Sequence, residues 1–213
     1  MNPTRTLFLA TCADVTTALA DPRVTSSWDE PSVLEQQTVG SVAAHVGRGS
    51  WVALDYLDQG IPTGEVDFDS AADYFAKLLD AATPELHEGI RQRGAEGAQA
   101  GAEGVLDQLR QRTDEMRERL AAEPEDRLIT VYGDNIMTLD DYLETRILEQ
   151  VVHLDDLARS IGVDHFSITE RAEALVIACG AEIGRRRFGN TTMVRALFRA
   201  PSEPEGSSPF PVL

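Results

Sequence analysis

The sequence predicts an all-α protein, an antiparallel four-helix bundle with a short C-terminal helical extension. The chain has 213 residues, of which 42% are hydrophobic and 26% charged, an ordinary globular composition. Apolar residues recur at helical spacing in four long segments, and clusters of Pro, Gly and Asp separate those segments. A chain of this length buries roughly 70% of its unfolded surface, so it can form a core without cross-links.

The first two long helices are predicted from spacing and caps. Residues 4–20 carry apolar side chains on one side, and a loop containing Asp21-Pro22 follows. Thr38 can cap a second helix, which we expect to run over residues 38–57, up to a Gly-Ile-Pro stop.

A short helix and the third long helix come next. Ser70 can cap a helix over residues 70–81, and a long helix with proline in its first turn is expected over residues 84–122. Four glycines lie in the middle of the long helix, and each costs about 1 kcal/mol relative to alanine, so we expect a kink or break there. Residues 127–132 are β-branched and short, which predicts an extended connector.

The fourth long helix has the clearest signals. Thr138 can cap it, acidic residues occupy its first turn, and Gly162 ends it. Further helices are expected over residues 169–187 and 191–198.

The domain organisation follows from these elements. Residues 1–162 are expected to form the bundle, 163–200 the helical extension, and 201–213, rich in proline and serine, a flexible tail.

The net charge limits the kinds of binding partner that the protein can have, and the cysteine content indicates its cellular compartment. The net charge of −17 disfavours nucleic acid and anionic membranes, because both repel an acidic protein at long range. Cys12 and Cys179 are too few for a disulfide framework and fit a reducing cytoplasm, where we expect them to act as small core residues. No apolar run is long enough to span a membrane, and the run at residues 7–13 is shorter than a secretory signal.

Three residues make a candidate metal site. Glu149 and His153 are four residues apart, so both lie on one face of the fourth helix beside its apolar stripe. His45 lies at the edge of the apolar stripe of the second helix. Bundles build metal sites from inward residues on facing helices, and two histidines with one carboxylate are typical of catalytic zinc. A solvated Glu–His pair, or a buried polar network without metal, are the alternative interpretations.

A family resemblance rests on two motifs. The first is T-V-x-x-V-x-x-H, ending at His45, and the second is R-x-x-E-x-x-x-H-x-x-D-L-A-x-x-x-G, from Arg146 to Gly162. Over about residues 4–162 the chain resembles the DinB-like superfamily, and within it the mycothiol-dependent maleylpyruvate isomerase branch. The resemblance implies a divalent metal held by His45, Glu149 and His153. The metal is commonly Zn²⁺, although such a site also accepts Ni²⁺, Fe²⁺ or Mn²⁺.

The resemblance also implies a chemistry. Branch members use mycothiol as cosubstrate, and an arginine-rich composition agrees with the actinobacteria that make this thiol; only Lys77 among 19 basic residues is lysine. We therefore expect a cytoplasmic S-transferase or isomerase whose partners are a small-molecule thiol and a small electrophile. A metal-dependent hydrolase and a non-catalytic metal-binding stress or sensor protein are the alternatives. The oligomeric state is left open.

Residues in and near the second motif are candidates for roles in that chemistry. Arg146 is the candidate catalytic residue, because it can bind a carboxylate of substrate or cosubstrate; a surface ion pair is its alternative role. Asp156 can orient His153, although its spacing favours solvent or another helix. Tyr142 is expected to be a packing residue.

The sequence also departs from the family. Gln36-Gln37 stand where relatives carry tryptophan, and the large C-terminal domain that supplies an arginine to the isomerase site is reduced here. Arg195 and Arg199 are the two candidates for the role of that arginine.

Overall fold

The computed structural model describes residues 1–199 and is mostly helical, with one two-stranded antiparallel sheet among these residues. The segment 201–213, expected to be a flexible tail, lies outside the described residues. The helices are α1 (Pro3–Leu19), α2 (Pro22–Ser26), α3 (Val39–Gly49), α4 (Val52–Leu57), α5 (Ala71–Asp80), α6 (Pro84–Ala98), α7 (Gly101–Ala122), α8 (Leu139–Ser160), α9 (Glu170–Phe188) and α10 (Asn190–Phe198), and the strands are β1 (Leu128–Val131) and β2 (Asn135–Thr138).

The predicted helix caps are confirmed. The hydroxyls of Thr38, Ser70 and Thr138 each accept a hydrogen bond from the backbone N–H three residues further on, at 3.1, 3.2 and 3.1 Å. Gly162 follows α8 with a φ of +68°, a left-handed conformation that glycine adopts without strain. These boundaries depend on local chemistry, which is why the sequence predicts them well.

The second predicted helix is wrong as one continuous element. The structure breaks it into α3 and α4 at Ser50 and Trp51. Ser50 is fully buried, and its hydroxyl accepts a hydrogen bond from Nε2 of Gln150 in α8 at 3.0 Å. A contact with a distant helix therefore accompanies the break. The preceding loop also contains the unpredicted helix α2, which Asp21 caps and in which Pro22 occupies the first turn.

The break expected in the glycine-rich segment is confirmed, because α6 ends at Ala98 and α7 begins at Gly101, which has a φ of +72°. Two further glycines in this segment let α6 approach α3. A Cβ at Gly94 would lie 3.0 Å from a backbone oxygen of α3, and one at Gly97 would lie 3.1 Å from a side chain there.

The extended connector is one strand of a hairpin. β1 pairs with β2, with Ile129 opposite Met137, and both side chains are fully buried. Gly133 and Asp134 turn the chain with φ values of +74° and +61°. The sequence does not predict β2, because a strand of four residues has little signal of its own and depends on its pairing with β1.

The core lies where α8 packs against α1 and α3, with α7 packed against the same two helices. Fully buried Phe8, Leu109, Leu143, Ile147 and Leu154 belong to this core. The face of α8 that carries the candidate ligands is therefore next to α3. α9 packs against both α5 and α8, and α10 packs against α9.

A buried arginine joins three of these helix ends. Arg5 is 2% exposed, and its Nε donates to Asp140 at the start of α8 at 2.8 Å. Its terminal nitrogens donate to the carbonyl of Leu120 in the last turn of α7, at 3.0 Å, and to those of Glu123 and Pro124 just beyond that helix, both at 2.6 Å. The orphan carbonyls of a helix end are thus satisfied by a side chain from α1.

Both cysteines are free; Cys12 is fully buried, as expected of a core residue, and Cys179 is half-buried. None of the helices described over residues 1–199 has the length and apolar character required to cross a membrane.

Candidate metal centre

Three side chains from two helices meet beside a cavity. α3 contributes His45, and α8 contributes Glu149 and His153 from successive turns. Nε2 of His45 lies 3.1 Å from Oε2 of Glu149, and Nε2 of His153 lies 3.8 Å from the same oxygen. The two imidazole rings meet edge to face with their centroids 4.9 Å apart. One ligand atom from each residue lies within 4.8 Å of the others.

The spacing matches that of ligands around one ion. Two atoms that are each about 2.1 Å from a tetrahedral ion are roughly 3.4 Å apart. The observed separations of 3.1 and 3.8 Å lie on either side of that value. Because the carboxylate oxygen of Glu149 accepts, Nε2 of His45 donates in this contact, and a metal at Nε2 would require the tautomer that carries the proton on Nδ1.

Asp156 fixes the ring of His153. Its Oδ2 accepts from Nδ1 of His153 at 2.9 Å, which leaves Nε2 directed towards Glu149. The expectation that the spacing of Asp156 favours solvent or another helix is wrong, because the two side chains meet along one helix face. A carboxylate behind an imidazole is the usual outer partner of a metal-ligating histidine.

Neighbouring charges keep the carboxylate ionised. Burial alone would raise the pKa of Glu149, but Arg146 and the hydrogen bond from His45 outweigh it and hold that pKa well below its usual range. For His153, burial lowers the pKa, and the hydrogen bond to Asp156 together with the charge of Glu149 raises it above the ordinary value. The site therefore contains an ionised Glu149 carboxylate and two imidazole rings, each in hydrogen-bond contact with a carboxylate.

The cluster opens onto a cavity of about 290 Å³ between α3, α6 and α8. Its wall includes Tyr56, Tyr74, Tyr132 and Tyr142. Tyr142 is buried, as expected of a packing residue, and its ring meets that of Tyr56 edge to face at 5.2 Å. The sequence does not predict the other three tyrosines as part of this wall, because they lie on separate segments with no shared motif.

Arg146 lines the same cavity. Its Nε donates to Oγ1 of Thr145 at 3.0 Å, and its guanidinium lies over the Tyr142 ring at 4.8 Å. Among the described residues, no carboxylate lies within ion-pair distance of it, so the surface ion pair considered as its alternative role is not formed. Burial disfavours its charge, but Tyr142 and Glu149 outweigh this and raise its pKa.

The other candidates lie elsewhere. His87 and His165 are exposed, and neither lines the cavity. Arg195 and Arg199 are exposed residues at the end of the described chain, and they do not line the cavity either. The structure thus gives no support to either arginine as the replacement for the arginine of a C-terminal domain.

Fold and site together define a helical protein with a His₂–carboxylate cluster in the wall of a cavity. Comparison with known families then gives a specific assignment: the family model described as "Mycothiol maleylpyruvate isomerase N-terminal domain" matches residues 8–158. The match covers more than half of the chain, which therefore belongs to this family. No curated protein and no solved structure was found to match the chain.

Proposed function

We propose that the chain is a divalent-metal-dependent enzyme, with Zn²⁺ as the metal, that activates mycothiol for S-transfer to, or isomerisation of, a small electrophile. The single observation that carries this proposal is the cluster of His45, Glu149 and His153 on a cavity wall. Membership of the family supports the thiol as cosubstrate. We further propose that α1, α3, α7 and α8 are the four-helix bundle of the DinB-like superfamily, because α7 and α8 both pack against α1 and α3.

The donor set suits a zinc ion. Two imidazole nitrogens and one ionised carboxylate oxygen are the ligands of many catalytic zinc sites, which keep a further position open for substrate. Here the cavity supplies that open side. Asp156 holds His153 in the tautomer with a free Nε2, and the apolar core behind α8 fixes the two ligands of that helix.

When bound, such an ion lowers the pKa of a thiol so that the thiolate is present near neutral pH. The residues of the chain then bind and orient the reactants. His45 and the α8 ligands hold one wall of the cavity, and the tyrosines form a partly apolar, partly hydrogen-bonding wall around it. The half-buried position of the three ligands limits the access of water that would compete with the thiol.

We also propose a cytoplasmic location. Both cysteines are unpaired in the structure, as expected in a reducing compartment, and a thiol cosubstrate has to stay reduced to react.

Two measurements test the proposal on protein prepared without a histidine tag. Zinc content and zinc affinity are measured first. Consumption of monochlorobimane, an electrophilic alkyl chloride, is then followed with and without mycothiol. We expect about one equivalent of zinc and a thiol-dependent rate that falls at least roughly hundred-fold in His45→Ala and Glu149→Ala.

His87→Ala is the matched control, because it removes an exposed histidine that is not in the cavity. It should keep the zinc content and the rate of the wild type. Zinc binding without thiol-dependent turnover would favour a stress or sensor protein, and zinc-dependent ester hydrolysis without thiol would favour a hydrolase. Full activity in the His45 and Glu149 variants would refute the site itself.

A further inference from the structure

Exposed apolar side chains are concentrated on the last two helices. Within residues 1–199, half of the large hydrophobic side chains that are exposed belong to α9 and α10. They are Ile177, Phe188, Val194, Leu197 and Phe198. Ile177 is the most exposed of them, at 73%, although it lies in the middle of α9. Exposed apolar surface of this kind is typical of a site that binds another molecule.

Helix geometry groups these side chains. Ile177 and Phe188 are eleven residues apart, which places them on the same side of α9. Val194, Leu197 and Phe198 have a spacing of three and four residues, which places them on one side of α10. Because α10 packs against α9, we name the five residues together the α9–α10 face. None of them lines the cavity at the metal centre, so the proposed function does not account for them.

Unpaired charges lie in separate parts of the same unit. Glu170 and Glu173 are exposed in the first turn of α9, where they outnumber Arg171, and Arg195 is exposed on α10. Within residues 1–199 neither of the two glutamates has an ion-pair partner, and the same holds for Arg195. The arginines at 185–187 differ from Arg195, because acidic side chains of α5, α9 and the segment before α5 already pair with them.

These unpaired charges are too far apart to pair within one chain. α9 has 19 residues and is about 28 Å long, and α10 has nine and is about 14 Å long. Arg195 lies near the middle of α10. Even if α10 folds back along α9, it stays about 15 Å or more from the first turn of α9. That distance exceeds the roughly 8 Å over which exposed charges interact in physiological salt.

We propose that the chain forms a homodimer through the α9–α10 face, with the two α9 helices antiparallel about a twofold axis near Ile177. A twofold axis brings the same patch of both copies together, so Ile177 packs near its own counterpart. It also places Glu170 and Glu173 near Arg195 of the partner subunit, twice per dimer. A parallel arrangement would instead place like charges together. The second copy therefore covers the apolar side chains and pairs the free charges.

Analytical ultracentrifugation of the full chain tests the dimer. We expect wild type to be mostly dimeric at about 100 μM, and Ile177→Asp to weaken the dimer at least about tenfold, because it places two carboxylates together at the axis. Ile61→Asp is the matched control, since Ile61 is 67% exposed in the loop between α4 and α5, away from the α9–α10 face. It should leave the dimer unchanged. Thermal unfolding is recorded for each variant, and Leu197→Asp carries the comparison if Ile177→Asp is destabilised.

Charge reversal tests the antiparallel arrangement. Glu170→Arg combined with Glu173→Arg should weaken the dimer about threefold or more, and so should Arg195→Glu, because each change places like charges together. The protein that carries all three substitutions should dimerise more tightly than either of these variants. Losses that simply add in this protein would overturn the antiparallel arrangement.

The remaining outcomes concern the occupant of the face. Wild type that stays monomeric at about 300 μM, or a dimer that persists unchanged in both Ile177→Asp and Leu197→Asp, would overturn the proposal. Monomeric wild type that binds phosphatidylserine vesicles, and loses this binding in Ile177→Asp, would assign the face to an anionic membrane and overturn it as well. Zinc binding and thiol-dependent turnover are measured separately, so failure of the proposed function leaves this test unaffected.

Discussion

Removal of the Asp156 carboxylate should weaken metal binding although Asp156 is not itself a proposed ligand. In Asp156→Ala the 2.9 Å hydrogen bond to Nδ1 of His153 is lost. The imidazole can then rotate, and both ring nitrogens compete for the proton. The helix itself should persist, because alanine is a good helix former and Asp156 lies inside α8.

The size of the effect follows from burial and charge. The side chains of His153 and Asp156 are 24% and 14% exposed, so the hydrogen bond is only partly screened by water. A hydrogen bond to a charged group contributes about 1.5–3 kcal/mol, and residual exposure favours the lower half of that range. A loss of about 1.5–2 kcal/mol corresponds to roughly 10- to 30-fold weaker zinc binding. Asp156→Asn keeps an acceptor and loses the charge, so its loss should be smaller.

The neighbouring residue provides the control. Asp155 carries the same charge but is 61% exposed, and it lies 3.9 Å from Arg159 in a surface pair. Asp155→Ala should change zinc affinity less than about twofold, as expected for an exposed ion pair. The assay is competition for zinc with a chromophoric chelator at fixed pH. Equal affinities of the Asp155→Ala and Asp156→Ala proteins would refute the positioning role of Asp156.

Three further predictions concern the fold. A Cβ at Gly40 would lie 2.6 Å from the Trp28 indole, so Gly40→Ala should lower the free energy of unfolding, measured by urea denaturation, by about 1–3 kcal/mol. Gly47→Ala is the control: a Cβ there would make ordinary contacts of 3.6 Å and more, so the free energy of unfolding should not fall. Arg5→Met should cost about 3–5 kcal/mol, because it leaves three carbonyls without their donor and removes the Arg5 partner of Asp140, which then keeps only the hydrogen bond from Asn2; a loss below about 1 kcal/mol would contradict this. Burial raises the pKa of Cys12 to about 12, so its thiol should not react with Ellman's reagent at pH 8 until the protein unfolds. If folded Cys12→Ser protein reacted more slowly than folded wild type, Cys12 would be reacting in the native state, which would contradict this prediction.

Local signals account for the parts of the fold that the sequence predicted. The Thr38 and Thr138 caps depend on a side chain and a backbone amide three residues apart, and that spacing is visible in the sequence. The break at Ser50 was missed because it accompanies a hydrogen bond with Gln150, a hundred residues away. β2 was missed for a similar reason, since a four-residue strand has little signal without its partner.

The same distinction applies to the site. Glu149 and His153 share a helix face at fixed spacing, so their proximity follows from helix geometry. The approach of His45 required a helix-packing hypothesis, and the structure brings its Nε2 within 3.1 Å of Glu149. The partner of Asp156 depends on side-chain rotamers, and the tyrosines of the cavity come from separate segments. Neither feature has a periodic pattern that a sequence can reveal.

The most direct test of the metal centre is a crystal structure of zinc-loaded protein, purified without a histidine tag, with anomalous data collected on both sides of the zinc edge. We predict one anomalous peak in contact with Nε2 of His45, a carboxylate oxygen of Glu149 and Nε2 of His153, with its open side towards the cavity. Absence of a peak at these three atoms, or a peak held by other residues, would contradict the metal centre and the enzymatic function built on it.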